Sequence, residues 1–301
     1  MTEPVRHGRA VTRASAAATA LAILAPAAAL AGAPQHAVQF APHRAIYDIT
    51  LARAATGSGV TEVEGRMVYE LQGSRCEGYT QNMRFVTRMT SQDGSQQIND
   101  LRTSSFEDVA DKRLRFNSAQ FRDQELVEQT SGDARPSRGA SGIDVELTVP
   151  EARKMRLEGR PMFPMRHSEE LVSEARAGRH HFVADLYDGS EKGEKIYKTS
   201  AVIGRGATGG GAVLPAQVAD RAKLNGVASW PVSIGYFEPQ QEGKDAVPAY
   251  ELSFRLFENG VSSGLVIDYG EFAVRGELAD VTYFPVSDCR EGGGTGAVKK
   301  P

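Results

Sequence analysis

The sequence predicts an all-β fold, either a barrel or a strongly curved sheet. Three observations carry that expectation. Apolar and polar residues alternate with period two through most of the chain from His43 onward, turn residues separate these runs at regular intervals, and only one segment breaks the rhythm in favour of a helix. With 301 residues, 41% of them hydrophobic, the chain can bury a core without a cofactor or many cross-links.

Taken in order, the alternating runs of the first half are 45–52, 60–72, 78–89, 96–108, 114–121 and 143–149. Within the second of these, Met67, Tyr69 and Leu71 alternate with Arg66, Val68 and Glu70, giving one face to a core and the other to water. Next comes the exception. His167 to Ala177 places Leu171, Val172 and Ala175 on one side, Glu169 and Glu170 early and Arg176 late, with Gly178 as a stop, so a helix is predicted over 167–177. Strands resume at 179–187, 195–204, 228–237, 249–258, 264–269 and 271–284. Asp93-Gly94, Asp188-Gly189 and Asn259-Gly260 are dipeptides that accept positive φ and therefore read as hairpin turns. Two stretches rich in Gly, Ser and Pro, 131–142 and 204–215, read as exposed mobile loops. About a dozen strands with one helix thus define the fold class.

The ends of the chain are a separate matter. Arg6, Arg9 and Arg13 precede the small apolar run Ala14 to Ala25, Pro26 interrupts it, and Ala29-Leu30-Ala31 offers a small-x-small site. That is the layout of a secretory signal peptide over 1–31, with cleavage between Ala31 and Gly32. The apolar run is too short to span a bilayer, and no later segment is longer, so the mature chain is expected to be soluble outside the cytoplasm without a transmembrane segment. Residues 32–42 read as a flexible leader, 43–290 as one domain and 291–301 as a disordered tail.

Charge excludes one class of partner. The chain carries 35 Lys+Arg against 38 Asp+Glu, a formal charge of -3, with a pI near 6.1. Removing the leader takes away three arginines and one glutamate, leaving the mature chain more acidic. Nothing offsets a run of phosphates, so no nucleic-acid partner is expected.

Cys76 and Cys289 are the only two thiols. An even count in an exported chain predicts a disulfide, and a bond across so long a stretch requires the ends of one domain to meet. In the loop-entropy model such a closure stabilises by about 5 kcal/mol. No C-x-x-C motif supports a redox or metal role for either thiol.

Several motifs imitate catalytic or cofactor sites. Gly260-Val261-Ser262-Ser263-Gly264 matches the G-x-S-x-G elbow, but a strand follows where the elbow needs a helix, and every histidine precedes the serine. Gly204 to Gly209 fits G-x-G-x-x-G, yet more glycines follow instead of the helix N-terminus that would hold a pyrophosphate. Asp185, Asp188, Glu191 and Glu194 crowd one turn without calcium-loop spacing. His180 and His181 point to opposite faces of a strand. The reading is therefore non-enzymatic, with no catalytic residue, no metal and no cofactor.

Recognition enters through segments spread over the chain: His43 to Asp48 (HRAIYD), Arg66 to Glu70 (RMVYE), Cys76 to Tyr79 (CEGY), Arg84 to Thr87 (RFVT) and Ser105 to Glu107 (SFE). Tyr187 to Ser190 (YDGS), Gly193 to Tyr197 (GEKIY), Trp230 to Val232 (WPV), Glu258 to Gly260 (ENG) and Leu265 to Gly270 (LVIDYG) follow in the same order. Together they resemble the alphaproteobacterial envelope-integrity family typified by EipB, over about 43–289. The resemblance implies a periplasmic β-spiral of about fourteen strands, similar to the lipoprotein carriers LolA and LolB. It also implies a disulfide between Cys76 and Cys289 and a role in resistance to envelope stress. The glycine-rich insertion at 204–211 and the tail after Cys289 depart from the family at the periphery.

The expected function is thus envelope maintenance through binding of an envelope protein partner or a hydrophobic, lipid-like ligand. The alternatives are a lipid or lipoprotein carrier with an apolar β-sheet cavity and, as a third reading, a hydrolase of cell wall or glycan. Candidate cavity residues from the alternating faces are Met67, Tyr69, Phe85, Trp230, Tyr236, Phe254 and Phe257. The cysteine reading is checked by calorimetry: Cys76→Ser and Cys289→Ser should each lower the melting temperature under oxidising conditions, and a double variant that melts with the parent protein refutes a structural bond.

Overall fold

The structure is a computed structural model that describes residues 37–286 except 111, 140, 209–220 and 239–245. The expected cleavage site at Ala31 and Gly32, the tail and Cys289 lie outside the described residues.

Eight strands come first: β1 (His43–Ala54), β2 (Val60–Ser74), β3 (Gly78–Ser91), β4 (Gln96–Asp108), β5 (Arg113–Arg122), β6 (Glu125–Pro136), β7 (Ile143–Val149) and β8 (Arg153–Leu157). The helix α1 (Pro164–Arg176) follows, and then β9 (His181–Leu186), β10 (Tyr197–Ile203), β11 (Ser229–Phe237), β12 (Tyr250–Phe257), β13 (Ser262–Asp268) and β14 (Phe272–Tyr283). All fourteen strands form one sheet in the order β8-β7-β6-β5-β4-β3-β2-β1-β14-β13-β12-β11-β10-β9. The chain is therefore two antiparallel meanders, β1–β8 and β9–β14, joined where the first strand pairs with the last.

Register carries the alternation seen in the sequence across the sheet. Ala45 and Tyr47 of β1 face Tyr69 and Met67 of β2, and β3 continues the row with Met83 and Phe85. The complementary face carries charge pairs, among them Asp48 with Arg66 at 2.8 Å and Asp100 with Arg84 at 2.9 Å. The Asp48–Arg66 pair is exposed and contributes little, whereas Asp100 is buried and shared by Arg84 and Arg102.

The sheet curls until its ends approach through side chains. Leu114 and Phe116 of β5, Ala134 of β6 and the β7 residues Ile143, Val145 and Leu147 form a buried cluster with Phe163 and Tyr187, which flank α1 and β9. Phe116 meets Tyr187 edge-on with ring centroids 5.8 Å apart, and Phe163 meets it at 6.3 Å. The Tyr187 hydroxyl donates to the Gly193 carbonyl at 3.0 Å. No hydrogen-bonded ladder links the two outermost strands, β8 and β9; the free side of β9 is met instead by the segment before α1, where Met162 bridges Leu186 in parallel.

The structure departs from the sequence expectations at four points. The leader is not flexible throughout: Val38 and Phe40 are buried in the main core, and Phe40 lies against Gly260, where any Cβ would crowd its ring. Residues 131–136 are not a loop but the end of β6, paired with β7. The helix begins three residues earlier than expected, with Pro164 in its first turn. Strands β6 and β8 also add to the dozen expected, because their exposed, charged faces hide the alternation.

The closure is testable at one glycine. Gly189 adopts φ 79°, and a Cβ there would overlap the Phe116 ring. Gly189→Ala should therefore cost ~2–4 kcal/mol by combining backbone strain with overpacking, read from urea unfolding; a loss within experimental error would show that the ends do not lean on each other.

Candidate functional site

Helix α1 fills the concavity of the sheet and leaves a cavity on either side. Its buried face, Met165, Leu171, Val172 and Ala175, packs against Leu71 and Tyr79 from one meander and Leu186, Ala201 and Ile234 from the other. The helix starts without a side-chain cap of its own and without an acid in its first turn. Glu107, at the end of β4, supplies both: its carboxylate accepts from the backbone N–H of Met165 at 2.6 Å and of Arg166 at 3.0 Å. Glu107 is only 2% exposed. Burial pushes its pKa up to about 7, although the two backbone donors pull it down. Burial likewise raises Glu169, one and a half turns into the helix, against the opposing influence of Arg75 and Arg166.

The interior cavity has a volume of about 220 Å³ and lies between α1, β1–β2 and β11–β13. Its walls are largely apolar, with Met67, Met165, Leu171, Ile234, Leu252 and Phe254 among them. Several of the polar groups that face it are hydrogen-bonded. The Tyr47 hydroxyl donates to the Ser262 carbonyl at 2.8 Å, and the Tyr69 hydroxyl accepts from Gln81 Nε2 at 2.9 Å. His167 Nε2 lies 2.9 Å from Thr199 Oγ1, which itself donates to the Ala184 carbonyl at 2.9 Å. Thr199 must therefore accept, which places the proton of neutral His167 on Nε2. Burial pushes the pKa of His167 down to about 4.

His43 is the exception. It is fully buried and lines the cavity, and its Nδ1 lies 2.7 Å from the Ala41 carbonyl, an acceptor, so Nδ1 carries the proton. Nε2 has no hydrogen-bond partner, and burial holds the ring neutral by lowering its pKa. The cavity thus combines apolar walls with a neutral histidine whose Nε2 is sealed from solvent and unpartnered.

Of the candidate cavity residues, Met67, Tyr69, Tyr236 and Phe254 line this space. Phe85, Trp230 and Phe257 do not. Phe85 sits beyond it in the second core cluster, Phe257 packs in that same cluster with Val261, and Trp230 covers the glycine at 206. His43, His167 and Glu107 escaped the sequence reading, since a buried polar residue on an alternating strand looks like any other inward position. Cys76 lies in the turn between β2 and β3, its Sγ 3.2 Å from Ser74 Oγ. The end of β14 lies on the same rim, because His43 pairs with both Leu71 and Tyr283.

The remaining motifs take structural places. Ser262 opens strand β13, as expected of a hairpin rather than an elbow. His180 and His181 bond to the Ile203 carbonyl and to Ser200 Oγ respectively, on different partners. Among the described residues, no three His, Cys, Asp or Glu side chains converge as metal ligands. No helix among them is long and apolar enough to cross a membrane.

Fold and cavity together define a β-barrel-like protein whose single curled sheet wraps a helix around an apolar interior. The chain belongs to the EipB-like family, whose sequence pattern it matches over residues 34–285. It is 38% identical over 260 residues to the cell envelope integrity protein EipB of Brucella abortus (strain 2308), covering 85% of this chain and 89% of that protein. It is also similar, at a TM-score of 0.76 and 39% identity, to the crystal structure of a β-barrel-like protein of the domain of unknown function DUF1849 from Brucella abortus, spanning 83% of this chain and 100% of that one.

The buried acid and histidine give opposite pH dependences. Glu107 titrates at about 7 in the fold instead of its ordinary 4.5, so its contribution is complete below 4.5 and is lost as pH rises through 7. His167 titrates at about 4 instead of 6.5, so its contribution is complete above 6.5 and is lost as pH falls through 4. Glu107→Gln should remove the alkaline loss, about 3 kcal/mol in full, and leave stability rising from acid to neutral pH. Urea unfolding of both proteins between about pH 5 and pH 8 checks this, and parallel profiles would contradict it.

Proposed function

We propose that the protein maintains the cell envelope as an exported, periplasmic binding protein rather than as an enzyme, and that its interior cavity takes an apolar ligand. The observation that carries the reading is the cavity itself, about 220 Å³ between the helix and the sheet, with Met67, Leu171, Ile234, Leu252 and Phe254 in its walls. Membership of a family that includes a cell envelope integrity protein supplies the physiological setting. A catalytic carboxylate is disfavoured for a physical reason: Glu107, the acid with the most shifted pKa, spends both oxygens on the start of α1. A disulfide between Cys76 and Cys289 completes the proposal, stapling the β2–β3 turn to the chain just beyond β14, within the ~20 Å that six extended residues can span.

The test is complementation. A deletion strain expressing the protein with Leu252→Trp, which fills the cavity, should export a folded protein yet remain sensitive to detergent. Full restoration of resistance by that variant would show the cavity to be dispensable. Native mass spectrometry of the exported parent protein should find an apolar small molecule bound; a lipid found there together with transfer between vesicles would favour the carrier reading instead.

A further inference from the structure

The second cavity lies on the opposite side of the helix start and differs in chemistry. It has a volume of about 640 Å³, within the ~300–1,000 Å³ typical of sites for small organic ligands. Its walls include Val109, Ile143, Met162 and Phe163. Its charged lining is one-sided: Arg75, Lys112, Arg160 and Arg166 against the single carboxylate of Glu107. In a chain with a net charge of -3, four cations around one opening stand against the overall balance.

Two of these cations are paired among the described residues and two are not. Arg166 pairs with Glu169 at 3.5 Å and with Glu170, and Arg75 reaches Glu169 only at 3.9 Å. Arg160 and Lys112 have no ion-pair partner among the described residues, and both are exposed at the mouth. Glu107 faces inward with its carboxylate tied to the helix backbone, so it offsets little of this charge. A pocket with apolar walls whose rim carries the unpaired Arg160 guanidinium and Lys112 ammonium, with Arg75 and Arg166 beside them, fits a molecule with an acidic head and an apolar body.

We infer that this cavity, independently of the interior one, binds a monomeric acidic amphiphile, its phosphate or carboxylate head held by Arg160, Lys112, Arg75 and Arg166 and its chain laid on Phe163, Met162 and Ile143. The site lies where β4, β7 and the start of α1 meet, so its occupant touches both the sheet and the element that fills it.

Calorimetric titration of the mature protein with decyl phosphate, decanol and inorganic phosphate, below micellar concentrations, tests the inference. Decyl phosphate should bind most tightly. The double variant Lys112→Glu/Arg160→Glu, whose residues serve no ion pair, should weaken it at least about tenfold, whereas Arg275→Glu on the outer face of β14 should not. Several results overturn the inference: no binding of decyl phosphate, equal binding of decanol, equal binding of inorganic phosphate, or an unchanged affinity in the double variant. An intact far-ultraviolet spectrum and melting temperature of that variant separate loss of the site from loss of the fold.

Discussion

The carboxylate of Glu107 is the constraint on which the interior arrangement rests. A curled sheet of fourteen strands leaves a concave face too large for its own side chains to fill, and α1 is the element that fills it. A helix that begins just after the buried Phe163, with no local cap, has N–H groups left without partners in its first turn. Glu107 satisfies two of them from across the fold. Everything downstream of that contact follows: the helix axis is fixed, Met165 and Leu171 are turned to one cavity, and Phe163 and Arg166 are turned to the other.

The two cavities show how one helix can divide an interior into unlike environments. On one side, neutral histidines sit among largely apolar walls, with the Tyr47 and Tyr69 hydroxyls hydrogen-bonded. On the other, arginines from the β2–β3 turn, the approach to α1 and α1 itself gather at a mouth above apolar walls. The wall between them is essentially Met165 and its neighbours, whose backbone Glu107 holds. Position on the helix, rather than any motif, decides which chemistry each residue meets.

Much of the architecture was legible because period-two alternation is a direct consequence of one buried and one wet face. Twelve of the fourteen strands follow from it, and Asp93-Gly94, Asp188-Gly189 and Asn259-Gly260 mark turns whose glycines take positive φ in the structure. Strands β6 and β8 were illegible for the converse reason: Leu126 and Val127 are both exposed, and the five residues of β8 offer only Met155 and Leu157 as an apolar row among three cations. The start of the helix was hidden because its cap lies on β4, far away in sequence. The cavity was only partly legible. Met67, Tyr69, Tyr236 and Phe254 follow from facing, but facing alone cannot separate a lining residue from a packed one such as Phe85, nor can it show that His43 lacks a partner.

The strand order has a kinetic meaning. Ladders within each meander join neighbours in sequence and can zip as hairpins, whereas the pairing of β1 with β14 joins the two extremes of the chain. That one ladder must wait for nearly every other residue, and loop-closure entropy opposes it throughout. As the polypeptide emerges from its N-terminus, the twelve-residue edge of β1 stays unpaired until β14 arrives. A half-made molecule therefore presents a long, sticky edge to other chains, so its safe maturation depends on how quickly its last strand is delivered.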